Sequence, residues 1–171
     1  RDNVVVTSES GRTRTYTIKI NRLSIEDSEV PEISAILNAS GVKYNDNYIF
    51  GINEKTSVSS LINNITNASN FATASVKDKN GNNKTGNLAT GDTIIISGTN
   101  ESKTYTISVR GDTSGDGLIK INDLILVQSH ILKKVNLDSY KFYGADLNYD
   151  GAIKINDLVM IQSYILGKIS L

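Results

Sequence analysis

From Val4 to Ile20, apolar and β-branched residues alternate with polar ones on either side of Glu9-Ser10-Gly11, a period-two pattern that predicts a two-stranded hairpin. The layout returns at 94–109, IIISGTNESKTYTISV, where Tyr105-Thr106-Ile107 matches Tyr16-Thr17-Ile18. Two successive modules therefore end in similar hairpins. A lone hairpin is marginal in water, so residues 1–22 read as the end of an upstream β module rather than as a strand pair borrowed by the next one. Glu26-Asp27-Ser28-Glu29-Val30-Pro31 is acidic, polar and carries the one proline, which makes 23–30 a linker.

Residues 31–110 predict a small, mostly-β (α+β) module. Ile33 to Leu37 and Tyr44 to Ile52 read as strands, and Thr56 is placed to cap a single helix whose apolar stripe is Val58, Leu61, Ile62 and Ile65. Phe71 to Lys77 resumes strand alternation, Asn80-Gly81 is a tight-turn dipeptide, and Thr90-Gly91-Asp92 feeds a strand from Thr93 to Ser97. Tyr44, Tyr48, Phe50 and Phe71 could stack on sugar rings, but alternating aromatics on strands ordinarily fill a core.

The period changes to helical in the last third, and it does so twice. IKINDLILVQSHIL at 119–132 parallels IKINDLVMIQSYIL at 153–166, with Leu124, Val127, Ile131 and Leu132, then Leu158, Ile161, Ile165 and Leu166, as the apolar stripes. Each helix is preceded by a twelve-residue loop, DTSGDGLIKIND at 112–123 and DLNYDGAIKIND at 146–157. Tyr105 to Val109 reads as strand and the segment before Asp146 is short, so the entering helix is expected to be absent or vestigial, at least before the first loop.

Oxygen-bearing side chains fall at positions 1, 3, 5 and 12 of each loop: Asp112, Ser114, Asp116 and Asp123, then Asp146, Asn148, Asp150 and Asp157. Glycine stands at position 6, and position 7 offers the carbonyl of Leu118 or Ala152. A hard cation the size of calcium takes six to eight oxygens, and a twelve-residue loop of this spacing wraps one. Position 9 is Lys120 or Lys154, which cannot chelate, so water would complete each shell; position 12 is Asp where an EF-hand usually has Glu. One such loop could be an Asx-turn, but two in register, each running into the same helix, point to two bound Ca2+ ions.

Composition narrows the function classes further. Eighteen acidic and eighteen basic residues cancel, which gives no charge excess toward nucleic acid or an anionic membrane. No apolar run approaches the roughly 20 residues of a membrane span. The absence of Cys removes disulfides and thiolate chemistry together. With one His, His130, matched by Tyr164 in the other copy, there is no base and partner for nucleophilic or acid–base catalysis. A calcium sensor would need a Met-rich groove, and Met160 is the sole methionine. Asn-x-Ser/Thr triplets such as Asn38-Ala39-Ser40 are most simply chance in so Asn- and Ser-rich a chain. The chain begins at Arg1 and reads as an excised fragment; a secreted parent would fit, the absence of Cys is equally compatible with a cytosolic protein, and composition leaves the compartment open.

Loop, helix and duplication together make residues 111–171 resemble a dockerin domain. More loosely, 31–110 resembles the accessory X-type modules that precede dockerins in secreted carbohydrate-active proteins, and 1–22 resembles the last hairpin of a cadherin-like or Ig-like β-sandwich. The resemblance implies a multidomain chain in which an all-α dockerin with two EF-hand-like calcium loop–helix repeats follows the small mostly-β module. It implies docking rather than catalysis: a non-enzymatic, extracellular fragment, monomeric when free, that binds a cohesin and tethers an upstream module, such as a glycoside hydrolase, to a multienzyme complex such as a cellulosome. In the family, loop positions 10 and 11 and the outer helix face choose the partner, which here means Ile121, Asn122, Gln128 and Ser129, and Ile155, Asn156, Gln162 and Ser163. Many dockerins carry Ser or Thr at positions 10 and 11, so Ile-Asn departs from that pattern and leaves the cohesin type open. Near-identical copies would let the domain offer either face to the same cohesin. A calcium-stiffened spacer, or a sugar-binding middle module, is the alternative.

Overall fold

A computed structural model of the chain describes residues 2–18 and 31–171. The linker assigned to 23–30 lies outside the described residues. β1 (Asp2–Thr7) and β2 (Thr13–Ile18) form the expected antiparallel hairpin, with Asp2 opposite Ile18 and Thr7 opposite Thr13.

The first element after the linker corrects the sequence reading. Ile33 to Leu37 is not a strand but the start of helix α1 (Ile33–Ser40), because Ile33, Ile36 and Leu37 recur at helical spacing and bury together. Its first turn is capped from a distance, since the Ile33 N–H donates to Glu101 Oε1 at 2.6 Å, and left-handed Gly41 ends it. The segment 44–52 is likewise not one strand. β3 (Lys43–Tyr44) and β4 (Tyr48–Ile52) flank a turn in which Asn45 Oδ1 accepts the N–H groups of Asn47 and Tyr48. Helix α2 (Val58–Asn67) is capped by Ser57, one residue after the expected Thr56, and buries Val58, Leu61 and Ile65. β5 (Thr73–Lys77), β6 (Thr93–Ser97) and β7 (Ser102–Val109) complete a mixed sheet of order β3-β4-β7-β6-β5, in which only the β4–β7 pair is parallel. The middle region is thus a five-stranded sheet with two helices rather than one. Ile49, Ile94, Ile96, Tyr105 and Ile107 meet the apolar faces of α1 and α2 in one core.

At the end of β7 the burial alternation fails. Ile107, Ser108 and Val109 are all buried, because the second face of the sheet is covered there by helix α4 (Ser139–Ala145). The Ser108 hydroxyl donates to the Tyr140 carbonyl at 2.6 Å, and the Gly111 N–H donates to the Gly144 carbonyl at 2.8 Å. A Cβ on Gly144 would sit 3.0 Å from the Val109 carbonyl oxygen, so this approach favours glycine. α3 (Ile121–Ile131) and α5 (Ile155–Ile165) pack on each other around Val127 and Ile161, with Ile119, Leu137, Ala145 and Leu147 closing a second core. The entering helices are absent or short, as expected. The first loop is fed directly by a strand, but a short helix of seven residues leads into the second.

Aromatic side chains weld the two cores together. Tyr48 and Phe50, on the face of β4 opposite Ile49, meet Tyr143 of α4, with the Phe50 and Tyr143 rings stacked at 4.7 Å and 23°. Tyr149 continues the cluster beside Phe50, under the Lys43 ammonium 3.8 Å from its ring centre. Tyr44, Tyr48 and Phe50 are half-buried in packing contacts, and Phe71 is a lone exposed ring.

Candidate metal loops and docking face

Each loop is organised around its first and last carboxylates. Asp112 is fully buried; its Oδ1 accepts the N–H groups of Gly115 at 2.9 Å and Asp116 at 3.1 Å, and its Oδ2 accepts those of Gly117 at 3.0 Å and Thr90 at 2.9 Å. Asp123, also buried, accepts Ser114 N–H at 2.7 Å on one oxygen and Lys120 N–H at 2.8 Å on the other. That second bond caps α3, so position 12 serves both loop and helix. The second loop repeats the arrangement: Asp146 accepts from Asp150 at 3.2 Å and Gly151 at 2.9 Å, while Asp157 accepts from Leu147 at 2.8 Å, Asn148 at 3.2 Å and Lys154 at 2.9 Å. Gly117 and Gly151 hold φ of 83° and 81°, the left-handed turn for which position 6 is glycine.

Asp112, Asp123, Asp146 and Asp157 are buried, and among the described residues none of them is paired with a Lys, Arg or His. Burial pushes the Asp112 carboxyl above its ordinary range and the Asp123 charge pushes the same way, against the N–H bonds from Thr90, Gly115 and Gly117. Two neighbouring carboxylates out of water are costly, a cost that a bound cation would offset. Ser114, Asn148 and the carbonyls of Leu118 and Ala152 supply further oxygens, and with no His or Cys in either loop the donor set suits a hard cation. As they stand, no three acidic or imidazole side chains among the described residues converge on one point. The position-5 carboxylates are paired instead with the position-9 lysines, Asp116 with Lys120 at 2.9 Å and Asp150 with Lys154 at 3.0 Å. Both pairs are solvent-exposed, so releasing each carboxylate costs little. The loops therefore fit calcium, which Asp112, Ser114, Asp116, Leu118 and Asp123 would hold in one and Asp146, Asn148, Asp150, Ala152 and Asp157 in the other. The lysines, read from sequence only as non-ligands, hold the outer carboxylates in place.

The candidate docking residues lie on the outer faces of α3 and α5. Ile121 and Ile155 are 56% and 59% exposed, Asn122, Asn156, Gln128 and Gln162 are exposed, and Ser129 and Ser163 are half-buried. The stripe assignment needs one correction: Leu132 and Leu166, placed in the core by helical spacing, are 57% and 60% exposed, and Ile165 is also exposed. Each falls at the C-terminal end of its helix. Ile125 and Val159, which the sequence reading passed over, lie one turn after Ile121 and Ile155 and are equally exposed. The signal for them was the repeat itself, since an apolar residue outside the core stripe recurs in both copies. Each helix thus shows an unpartnered apolar face.

Residues 110–166 match the model of the dockerin type I domain, and this third of the chain belongs to that family. Two solved structures from Acetivibrio cellulolyticus are similar to it; both contain the third cohesin of ScaC in complex with the ScaB dockerin, one altered from IN to SI in the N-terminal helix and the other in the C-terminal helix. The first is 38% identical over 36% of this chain and 88% of that chain, and the second 40% identical over 36% and 86%, each with a TM-score of 0.34. No curated protein matches the chain.

Proposed function

We propose that residues 111–171 are a non-catalytic, calcium-dependent docking module that binds a cohesin. The observation that carries this reading is the duplicated loop–helix unit, in which each loop buries two carboxylates without a counter-charge and each helix leaves an Ile-x-x-x-Ile/Val face uncovered. Two Ca2+ ions neutralise the loops. The energy of binding them is also folding energy, because some sixty residues bury too little apolar surface for much surplus stability. Ile121-Asn122 and Ile155-Asn156 open the two helices, and Ile-Asn is the pair that was changed in one helix of each solved relative. The cohesin is read by these pairs together with Gln128, Ser129, Gln162 and Ser163, and by Ile125 and Val159 beside them.

In the same reading 31–110 is an accessory module, 23–30 a linker and 1–22 the end of an upstream β module. The parent is an extracellular carbohydrate-active protein held in a cellulosome-like complex. The first experiment is a calorimetric titration of calcium into the chelated chain while helicity is followed, and then binding to a panel of cohesins. Two sites with helix gain, followed by capture of a cohesin, support docking. Two calcium sites without any cohesin partner would leave a calcium-stiffened spacer, and no calcium binding would end the reading. Changing Ile121 and Asn122 alone should leave affinity nearly intact if both faces serve, whereas changing all four positions should abolish it.

A further inference from the structure

The two loops are not held alike. The carboxylate of Asp112 takes one of its hydrogen bonds from outside its own loop, from the Thr90 N–H at 2.9 Å. Thr90 is itself fixed: its hydroxyl accepts the Val109 N–H at 2.8 Å, and Asp92 Oδ2 accepts the Ala89 N–H at 2.8 Å to close the 89–92 turn. That turn lies flat on the first loop. A Cβ on Gly115 would stand 2.7 Å from the Thr90 carbonyl oxygen, and one on Gly117 would stand 3.3 Å from the Leu88 carbonyl oxygen. The second loop has no such wall. Gly151 has nothing within 4 Å of where a Cβ would be, and the counterpart of Gly115 is Tyr149. The middle region touches the second loop through Tyr149 and through the Leu147 carbonyl, which accepts from Arg110 at 2.9 Å, and neither position offers a candidate ligand.

We propose that the 89–92 turn of the middle region is a positioning element of the first calcium site, so that filling this loop, and not the second, tightens the middle region. The proposal rests on the calcium reading of the loops. A cation drawn to Asp112 polarises and fixes the carboxylate that Thr90 contacts, and linkage requires that whatever ties the turn to Asp112 raises calcium affinity in return.

Amide exchange in the nitrogen-labelled full chain, followed by NMR through a stepwise calcium titration, tests it. The Thr90 N–H should slow about tenfold or more on loading, in step with Gly117 of the first loop. Asp150→Ala, which weakens the second loop, should leave that response in place, and Asp116→Ala should remove it. A Thr90 amide that follows Gly151 instead, or that is unmoved while calorimetry shows both loops filled, overturns the proposal and leaves the calcium sites standing. If neither loop takes calcium, the proposal and the docking reading fall together.

Discussion

Replacing Phe50 and Tyr143, singly and together, measures how strongly the middle region and the dockerin are joined. Complete removal of a buried Phe costs about 3–5 kcal/mol, and since both rings are half-buried each Ala substitution should cost about 2 kcal/mol. Stacking at 4.7 Å and 23° adds a specific term of about 0.5–1.5 kcal/mol beyond burial. The double variant should therefore lose about 3 kcal/mol rather than 4, a coupling of about 1 kcal/mol. For a chain of this size each single change lowers the melting temperature by about 4–8 °C. Urea unfolding of the calcium-loaded chain, read by circular dichroism and tyrosine fluorescence, gives all four corners of the cycle. A coupling within about 0.3 kcal/mol of zero would refute the stack as a joint between the cores. Loss of both rings should also separate the two spectroscopic transitions, because the remaining contacts are mostly single hydrogen bonds.

Two further substitutions divide stability from recognition. Ile161→Ala, in the centre of the α3–α5 core, should cost about 2–5 kcal/mol and, if folding and calcium loading are coupled as proposed, weaken calcium binding in calorimetry. Ile155→Ala, on the exposed face, should change stability by no more than about 0.5 kcal/mol in the same urea assay, and should weaken cohesin capture when combined with Ile121→Ala in the other copy. Glu54 provides a pH test. Burial would raise its carboxyl, but hydrogen bonds from the Tyr164 hydroxyl and the Ile119 N–H, with Lys55 beside it, hold it below its ordinary 4.5. A carboxyl lowered on folding stabilises the fold above pH 4.5 and loses that contribution as pH falls through the lowered value. The Glu54→Gln chain should therefore show a shallower fall in melting temperature below pH 4.5 than the parent; parallel curves would disprove the assignment.

The loops were legible because everything that defines them is local. The spacing of the oxygen-bearing side chains, the position-6 glycine and the following helix all lie within a dozen or so residues, and duplication supplied a second reading of each. Strands of the middle region were read well where alternation was clean, as in β6, and badly where two structures share a pattern. Ile33 to Leu37 is short enough to satisfy either period, and what makes it helical is the distant Glu101 cap and the contact with α2. Leu132 and Leu166 satisfy the helical period too, and nothing local says that they are left exposed. The junction was out of reach for a stronger reason. Phe50 with Tyr143 and Glu54 with Tyr164 are pairs made by topology, and no periodicity within either segment encodes its partner.

At two places where the copies differ in sequence, the difference follows the neighbours. Gly115 faces the Thr90 carbonyl, which leaves no room for a side chain; its counterpart Tyr149 keeps the left-handed φ of 59° and places its ring beside Phe50, Lys43 and Arg110. A residue other than glycine in that conformation is strained, and the surrounding contacts hold it there. His130 and Tyr164 divide in the same way. His130 Nδ1 accepts the Leu137 N–H at 3.0 Å and serves its own copy, whereas Tyr164 reaches out to Glu54 of the middle region. Ile121-Asn122 and Ile155-Asn156, by contrast, are the same pair with nearly equal exposure of the isoleucines. At these positions the copies differ where they meet the rest of the chain and match where they open the two helices toward solvent, the distribution expected of a surface whose two halves present the same chemistry to one kind of partner.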